Sequence, residues 1–204
     1  TMATLAAAVA ARGGTLLVDE IYHGLTYGVD ACSALAISDE VFVINSFSKY
    51  FGMTGWRLGW LVAPQRYVRE IEKLAQNLYI APSTVAQHAA LAAFQPETMS
   101  ILEARRREFS LRRDILLPGL RKLGFDVAAE PHGAFYVYAA SNALAEDSFA
   151  LAERLLTEAG VAATPGLDFG SNAPQRHMRF AYTVNRSQIE EGLARMAEYL
   201  NTRS

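Results

Sequence analysis

The chain has 204 residues, a hydrophobic fraction of 51%, a charged fraction of 20% and a formal net charge of −2. That balance is ordinary for a globular protein and leaves room for one sizeable domain or two small ones sharing a core. It carries no basic excess for nucleic acid or an anionic membrane, and no apolar run long enough to span a bilayer. Cys32 is the single cysteine, which excludes an internal disulfide framework and a thiolate metal site and points to a reducing cytoplasm. The four histidines, His23, His88, His132 and His177, show no metal-ligand spacing. The basic run Arg105–Arg107, flanked by Glu103, Glu108 and Asp114, reads as a solvated helix face.

The alanine-rich start lacks the basic region of a signal peptide and predicts a helix over residues 2–12, stopped by Gly13 and Gly14. "TLLVDE" then reads as a buried strand ending in acids, and "DEVFVINS" as a second, Val41 to Asn45, again polar at its C-terminal end. "RLGWLVAP" is a third, closed by Pro64. No helix of useful length fits between the second and third, so the third should run antiparallel. Helical patterning continues from Gln65 through Leu78, breaks at Pro82 and resumes from Ser83 to Phe94. A long amphipathic helix follows Pro96 to about Leu123, with Gly124 as its cap. Beyond it the texture changes. "FDVAAEP" and "GAFYVYAA" alternate like an antiparallel pair around Pro131 and Gly133. The helix "DSFALAERLLTEAG", the short strand "VAATPG", the strand "HMRFAYT" and a helix from Ser187 to Leu200 complete the chain. The expected fold class is α/β: residues 1–100 part of a mostly parallel sheet domain, residues 101–204 a compact α+β domain, joined by the helix near 97–123.

In open α/β sheets ligands bind beyond the carboxyl ends of the strands. Asp19, Glu20 and Tyr22 follow the first strand; Ser46, Ser48 and Lys49 follow the second. If those strands are neighbours, Asp19, Tyr22, Ser46 and Lys49 share one crevice. A lysine amine can form a Schiff base with an aldehyde cofactor, and a carboxylate can keep a pyridine nitrogen protonated. A phenol can hydrogen-bond a ring oxygen, while a serine and an arginine can grip a phosphate. Gly52, Gly55 and Gly59 do not form a dinucleotide fingerprint and suit tight backbone turns instead.

With "VDEIYHGLTY" (Val18–Tyr27), "SFSKYFGMTGWRLGW" (Ser46–Trp60), "GAFYVY" (Gly133–Tyr138) and "MRFAYT" (Met178–Thr183) in this order, the chain resembles the class I/II pyridoxal-phosphate aminotransferases of the aspartate-aminotransferase-like fold. The resemblance implies that Lys49 holds pyridoxal 5'-phosphate covalently and moves the substrate proton. It implies that Asp19 pairs with the pyridinium nitrogen and Tyr22 hydrogen-bonds the 3-oxygen. Ser46 and Arg57 would hold the phosphate, and Arg179 would clamp the substrate α-carboxylate. Gly133 and the loop Thr164–Gly170 would shape the substrate side. The implied reaction is amino-group transfer between an amino acid and a 2-oxo acid in a cytoplasmic homodimer, with no metal, nucleic acid or membrane partner. A β-lyase on the same scaffold would share Lys49, Asp19 and Arg57, and the cofactor-sensing domain of a transcription regulator resembles the same family. The family's glycine-containing phosphate-binding helix start, its ring-stacking aromatic and its asparagine beside the 3-oxygen have no counterpart here. The expectation is therefore a C-terminal half, with an apolar sheet edge and face exposed, and inactive alone.

Overall fold

The computed structural model describes residues 1–145 and 147–202 and divides into two compact units, Thr1–Arg106 and Arg107–Ser204. In the first unit, helix α1 (Met2–Ala10) is capped by Thr1 and ends two residues before the predicted limit, with Gly13 left-handed at φ 66°. Strands β1 (Leu17–Asp19), β2 (Phe42–Ser46) and β3 (Gly59–Val62) form a sheet in that order. β1 runs parallel to β2 and β3 antiparallel, as the missing crossover helix predicts. Met2, Leu16 and Val18 pack against buried Ala34, Val41 and Val43 on one side of this sheet.

Burial corrects the reading of the first and third strands. Leu17 is 56% exposed and all four residues of β3 are exposed. An apolar run reports what a strand could bury, whereas burial itself requires a covering layer, and none of the described residues supplies it on that side.

Helices α2 (Gln65–Leu78) and α3 (Thr84–Ala93) fall where the periodicity places them. α2 stops where Tyr79 and Ile80 both donate to the Ala75 carbonyl, with Ile80 left-handed at φ 71°. Pro82 cannot continue the helix, and Ser83 caps α3 through Ala86 N. Helix α4 (Pro96–Lys122) carries the boundary between the units. It closes on Gly124 at φ 93°, with Phe125 N bonded to the Leu120 carbonyl and Gly124 N to that of Arg121, a Schellman ending.

The second unit has an antiparallel sheet of β4 (Tyr136–Ala140), β5 (Thr164–Pro165) and β6 (His177–Ala181), with β6 in the middle. Helices α5 (Ser148–Ala159) and α6 (Arg186–Asn201) complete it. The predicted pairing of "FDVAAEP" with "GAFYVYAA" shrinks to one bridge, Asp126 with Ala140, and the partner of β4 is β6. Pro131 has no N–H to give a ladder. β6 instead sets Phe180 and Met178 opposite Val137 and Ala139, all four buried on one face. The predicted strand "VAATPG" is likewise reduced to Thr164 and Pro165.

Candidate active site

The site in the first unit is built at the carboxyl ends of β1 and β2. Asp19 lies opposite Ile44 in the parallel register, and Glu20 N donates to the Ile44 carbonyl at 2.8 Å. The two strands therefore leave the sheet at the same end, one toward Tyr22 and the other toward Lys49. Asp19 is exposed and accepts a 3.0 Å hydrogen bond from Ile21 N, which fixes the carboxylate at the turn.

Its neighbour does the opposite work. Successive side chains on a strand point to opposite faces. Glu20 is 5% exposed and accepts from Ala34 N at 2.7 Å and Ser33 Oγ at 3.0 Å, with His23 Nδ1 3.2 Å from its other oxygen. This buried carboxylate ties the Tyr22 loop to the segment at Ser33. No motif in the sequence marks Glu20, although strand alternation alone separates it from Asp19.

Beyond β2, the aromatics between the polar residues act as anchors. Phe47, Met53 and Leu58 are buried against Ala86, Ala90 and Ala93, whose small side chains let α3 approach closely, and Phe51 packs on the same cluster. Phe47 also meets Trp60 and Phe94 edge-on at 5.2 and 5.9 Å. The segment closes on itself through Gly52 N to Lys49 O, Met53 N to Phe47 O and Thr54 Oγ1 to Ser48 O. Gly59 is needed where strands approach, since a Cβ there would lie 2.7 Å from the Asn45 carbonyl oxygen. Gly52 is left-handed at φ 67°, whereas nothing crowds Gly55.

On this frame the Lys49 ammonium stands 5.8 Å from the centre of the Tyr22 ring, so the structure brings those two predicted residues together. Ser46 Oγ lies 2.9 Å from Ser48 Oγ and 3.1 Å from the Leu58 carbonyl, and it accepts from Ser48 N at 3.0 Å. Its hydroxyl thus shapes the turn together with the buried Ser48. Arg57 is exposed, sits at φ 53° and donates to the Thr54 carbonyl at 2.9 Å, leaving most of its guanidinium fork facing outward.

Arg179 belongs to the second unit, in β6 between Tyr138 and Thr164. Its guanidinium carbon is 4.2 Å from the ring centres of both Tyr136 and Phe169. Its buried Nε makes no hydrogen bond among the described residues. Two rings hold the guanidinium plane in one orientation, an arrangement suited to a planar anion. The loop Thr164–Gly170 contributes Phe169 to this holder. It turns at Gly166, where a Cβ would meet the Pro174 carbonyl oxygen at 2.3 Å. The resemblance puts the loop Thr164–Gly170 on the substrate side, but no spacing along the chain singles out Tyr136 or Phe169 as partners of Arg179. Among the described residues there is no acidic, histidine or cysteine cluster able to hold a metal, and no helix long and apolar enough to cross a membrane.

A family model, "Aminotransferase class I and II", matches residues 1–196. The chain belongs to that family, which depends on pyridoxal phosphate and has the aspartate-aminotransferase-like fold. It is 41% identical over 187 residues to the valine–pyruvate aminotransferase of Mycobacterium tuberculosis, a match covering 91% of this chain and 48% of that protein. It is 36% identical over 188 residues to the aspartate/prephenate aminotransferase of Thermus thermophilus, with 91% and 48% covered. Among solved structures, a putative aminotransferase from Silicibacter pomeroyi superposes with a TM-score of 0.94 at 45% identity, covering 99% of this chain and 54% of the other. The chain spans about half the length of the curated relatives it matches. By the chemistry of its donors the first unit fits the family's cofactor: it offers a carboxylate and a phenol after β1, a hydroxyl and an amine after β2, and a guanidinium just before β3.

Proposed function

We propose that the protein carrying this chain transfers an amino group between an amino acid and a 2-oxo acid, using pyridoxal phosphate attached to Lys49. The observation that carries this reading is the Lys49 amine seated over the Tyr22 ring, on loops leaving adjacent parallel strands. When bound, the cofactor supplies an aldehyde for that amine and a ring that takes up the electron pair freed at the substrate α-carbon.

The remaining work falls to this chain's own side chains. Asp19 would hold the proton on the ring nitrogen, and Tyr22 would donate to the 3-oxygen. Arg57, with the Ser46 hydroxyl, receives the phosphate. Lys49 Nζ would take the substrate α-proton and give it back. Arg179 orients the substrate through its α-carboxylate, its guanidinium held between the Tyr136 and Phe169 rings. The enzyme is proposed to be a cytoplasmic homodimer, a reading supported by the lone Cys32 and by the apolar faces left open on the first unit. The 204-residue chain alone is proposed to be inactive, because catalysis needs reacting groups fixed in a closed site and much of the first unit's surface is open.

Borohydride reduction of the protein with pyridoxal phosphate, followed by peptide mapping, tests the assignment. The tag is expected on Lys49. A tag on Lys73, which already pairs with Glu70 at 2.7 Å, or on Lys122 would reject it.

A further inference from the structure

One network in the first unit links the loop of Lys49 to the loop of Tyr22. The Tyr50 hydroxyl donates to Glu103 Oε1 at 2.6 Å, and Glu103 Oε2 receives Arg106 Nε at 2.9 Å. Arg106 Nη1 then donates to the Thr26 carbonyl at 2.9 Å, just beyond the turn in which Leu25 N bonds Tyr22 O. The Tyr50 ring also packs against Gly24, where φ is +89° and a Cβ would come within 2.7 Å of two ring carbons. Only glycine fits there, so the ring seats directly on the backbone of the Tyr22 loop.

We propose that Tyr50 is a positioning residue for Lys49: with Glu103 and Arg106 it clamps the lysine loop to the Tyr22 loop, and so sets the amine over that ring. The inference rests on the reading of Lys49 as the cofactor's attachment point. A cation over an aromatic ring at an open site is worth only about 0.5–1 kcal/mol, too little to order two loops by itself. A scaffold must therefore supply the order, and a displacement of about 1 Å at a reacting group can cost roughly a hundredfold in rate. Glu103 and Arg106 stand one helical turn apart on α4, which makes them a rigid base for both loops. Burial, and then the bond to Glu103, raise the Tyr50 phenol to about 12, so it stays a donor across the working pH range.

The test uses the full chain and the variants Tyr50→Phe, which keeps the ring against Gly24, and Glu103→Gln, which keeps an oxygen for the phenol but loses the charge. Without cofactor, labelling by trinitrobenzenesulfonate is followed at each lysine by peptide mass spectrometry. Tyr50→Phe should raise the labelling rate of Lys49 by roughly tenfold, the worth of one lost charge-assisted hydrogen bond, with Lys73 and Lys122 unchanged. Glu103→Gln should raise it less. Labelling that rises equally at all three lysines, or at none of them in both variants, overturns the proposal. The wild-type borohydride map is read separately. If Lys49 is untagged there yet becomes more reactive in Tyr50→Phe, the clamp stands and the cofactor reading falls. If Lys49 is tagged and its reactivity is unchanged in both variants, the clamp falls alone.

Discussion

In the second unit Leu120, Val137, Leu155, Met178 and Tyr182 are completely buried, and Phe125 meets Phe180 edge-on at 5.0 Å. In the first unit Leu74, Leu78, Val85 and Leu91 are each at least 60% exposed, as is Ile80 at 83%. The first unit is the more apolar of the two, with 58 of its 106 residues hydrophobic against 46 of 98, so composition does not explain the contrast. The second unit folds helices onto one face of its sheet and closes its own core. The first spends its best packing, the aromatic cluster on α3, on fixing the loop of Lys49, and leaves other apolar faces uncovered. Functional geometry and self-sufficient burial are thus separable, and the residues expected to do the chemistry sit in the less complete unit.

The largest expected effect lies in that contrast. Leu155→Ala should cost about 2–5 kcal/mol, because a fully buried leucine leaves a cavity. Leu78→Ala, at a residue 76% exposed, should stay within about 0.5 kcal/mol. Urea unfolding of the chain and of both variants measures this. Equal losses would mean that the open faces of the first unit are covered in solution.

Next comes the division of labour between the sites. In the active enzyme, Arg179→Ala should raise the Michaelis constant for an amino acid roughly tenfold to a hundredfold and leave an amine without a carboxylate nearly unaffected. Arg57→Lys should speed loss of cofactor on dialysis and leave cofactor-free melting unchanged, because its guanidinium bonds only the nearby Thr54 carbonyl among the described residues. An equal penalty on both substrates, or a lowered melting point, would reassign these residues to the fold.

Much of this arrangement is legible in the sequence. The order of helices and strands, the antiparallel β3, the Gly124 stop and the meeting of Tyr22 with Lys49 all follow from local patterns or from the family resemblance. What escapes is tertiary. Whether Leu17 is covered depends on a layer outside its own segment, and β4 chose β6 because Val137 and Ala139 found better partners there. Arg106, read as part of a solvated face, bonds Glu103 and the Thr26 carbonyl because a loop eighty residues away lies beside it. The rings around Arg179 come from two segments that only the sheet register brings together.

Alkaline pH offers a finer probe of the first unit. The Tyr50 phenol is raised from its ordinary value to about 12, so its contribution is complete below about pH 10 and is lost as pH rises through about 12. Wild type should therefore melt about 2–4 °C above Tyr50→Phe at neutral pH, the equivalent of about 1 kcal/mol. That gap should close as pH approaches about 12. A gap independent of pH would show that the hydroxyl contributes through packing alone.

The smallest effect compares helix caps in the two units. Asn185 accepts from Gln188 N at 2.9 Å while Gln188 Oε1 receives Asn185 N at 3.2 Å, a complete capping box at the start of α6. Ser83, at the start of α3, reaches Ala86 N only at 3.5 Å. A hydrogen bond at that length is weak, and α3 is held chiefly by its alanines against Phe47, Met53 and Leu58. Asn185→Ala should therefore cost about 1 kcal/mol, and Ser83→Ala only about 0.3–0.5 kcal/mol. Chemical denaturation of the two variants decides the order. If Ser83→Ala costs as much as Asn185→Ala, the cap rather than the alanine packing sets where α3 begins, and with it the backing of the Lys49 loop.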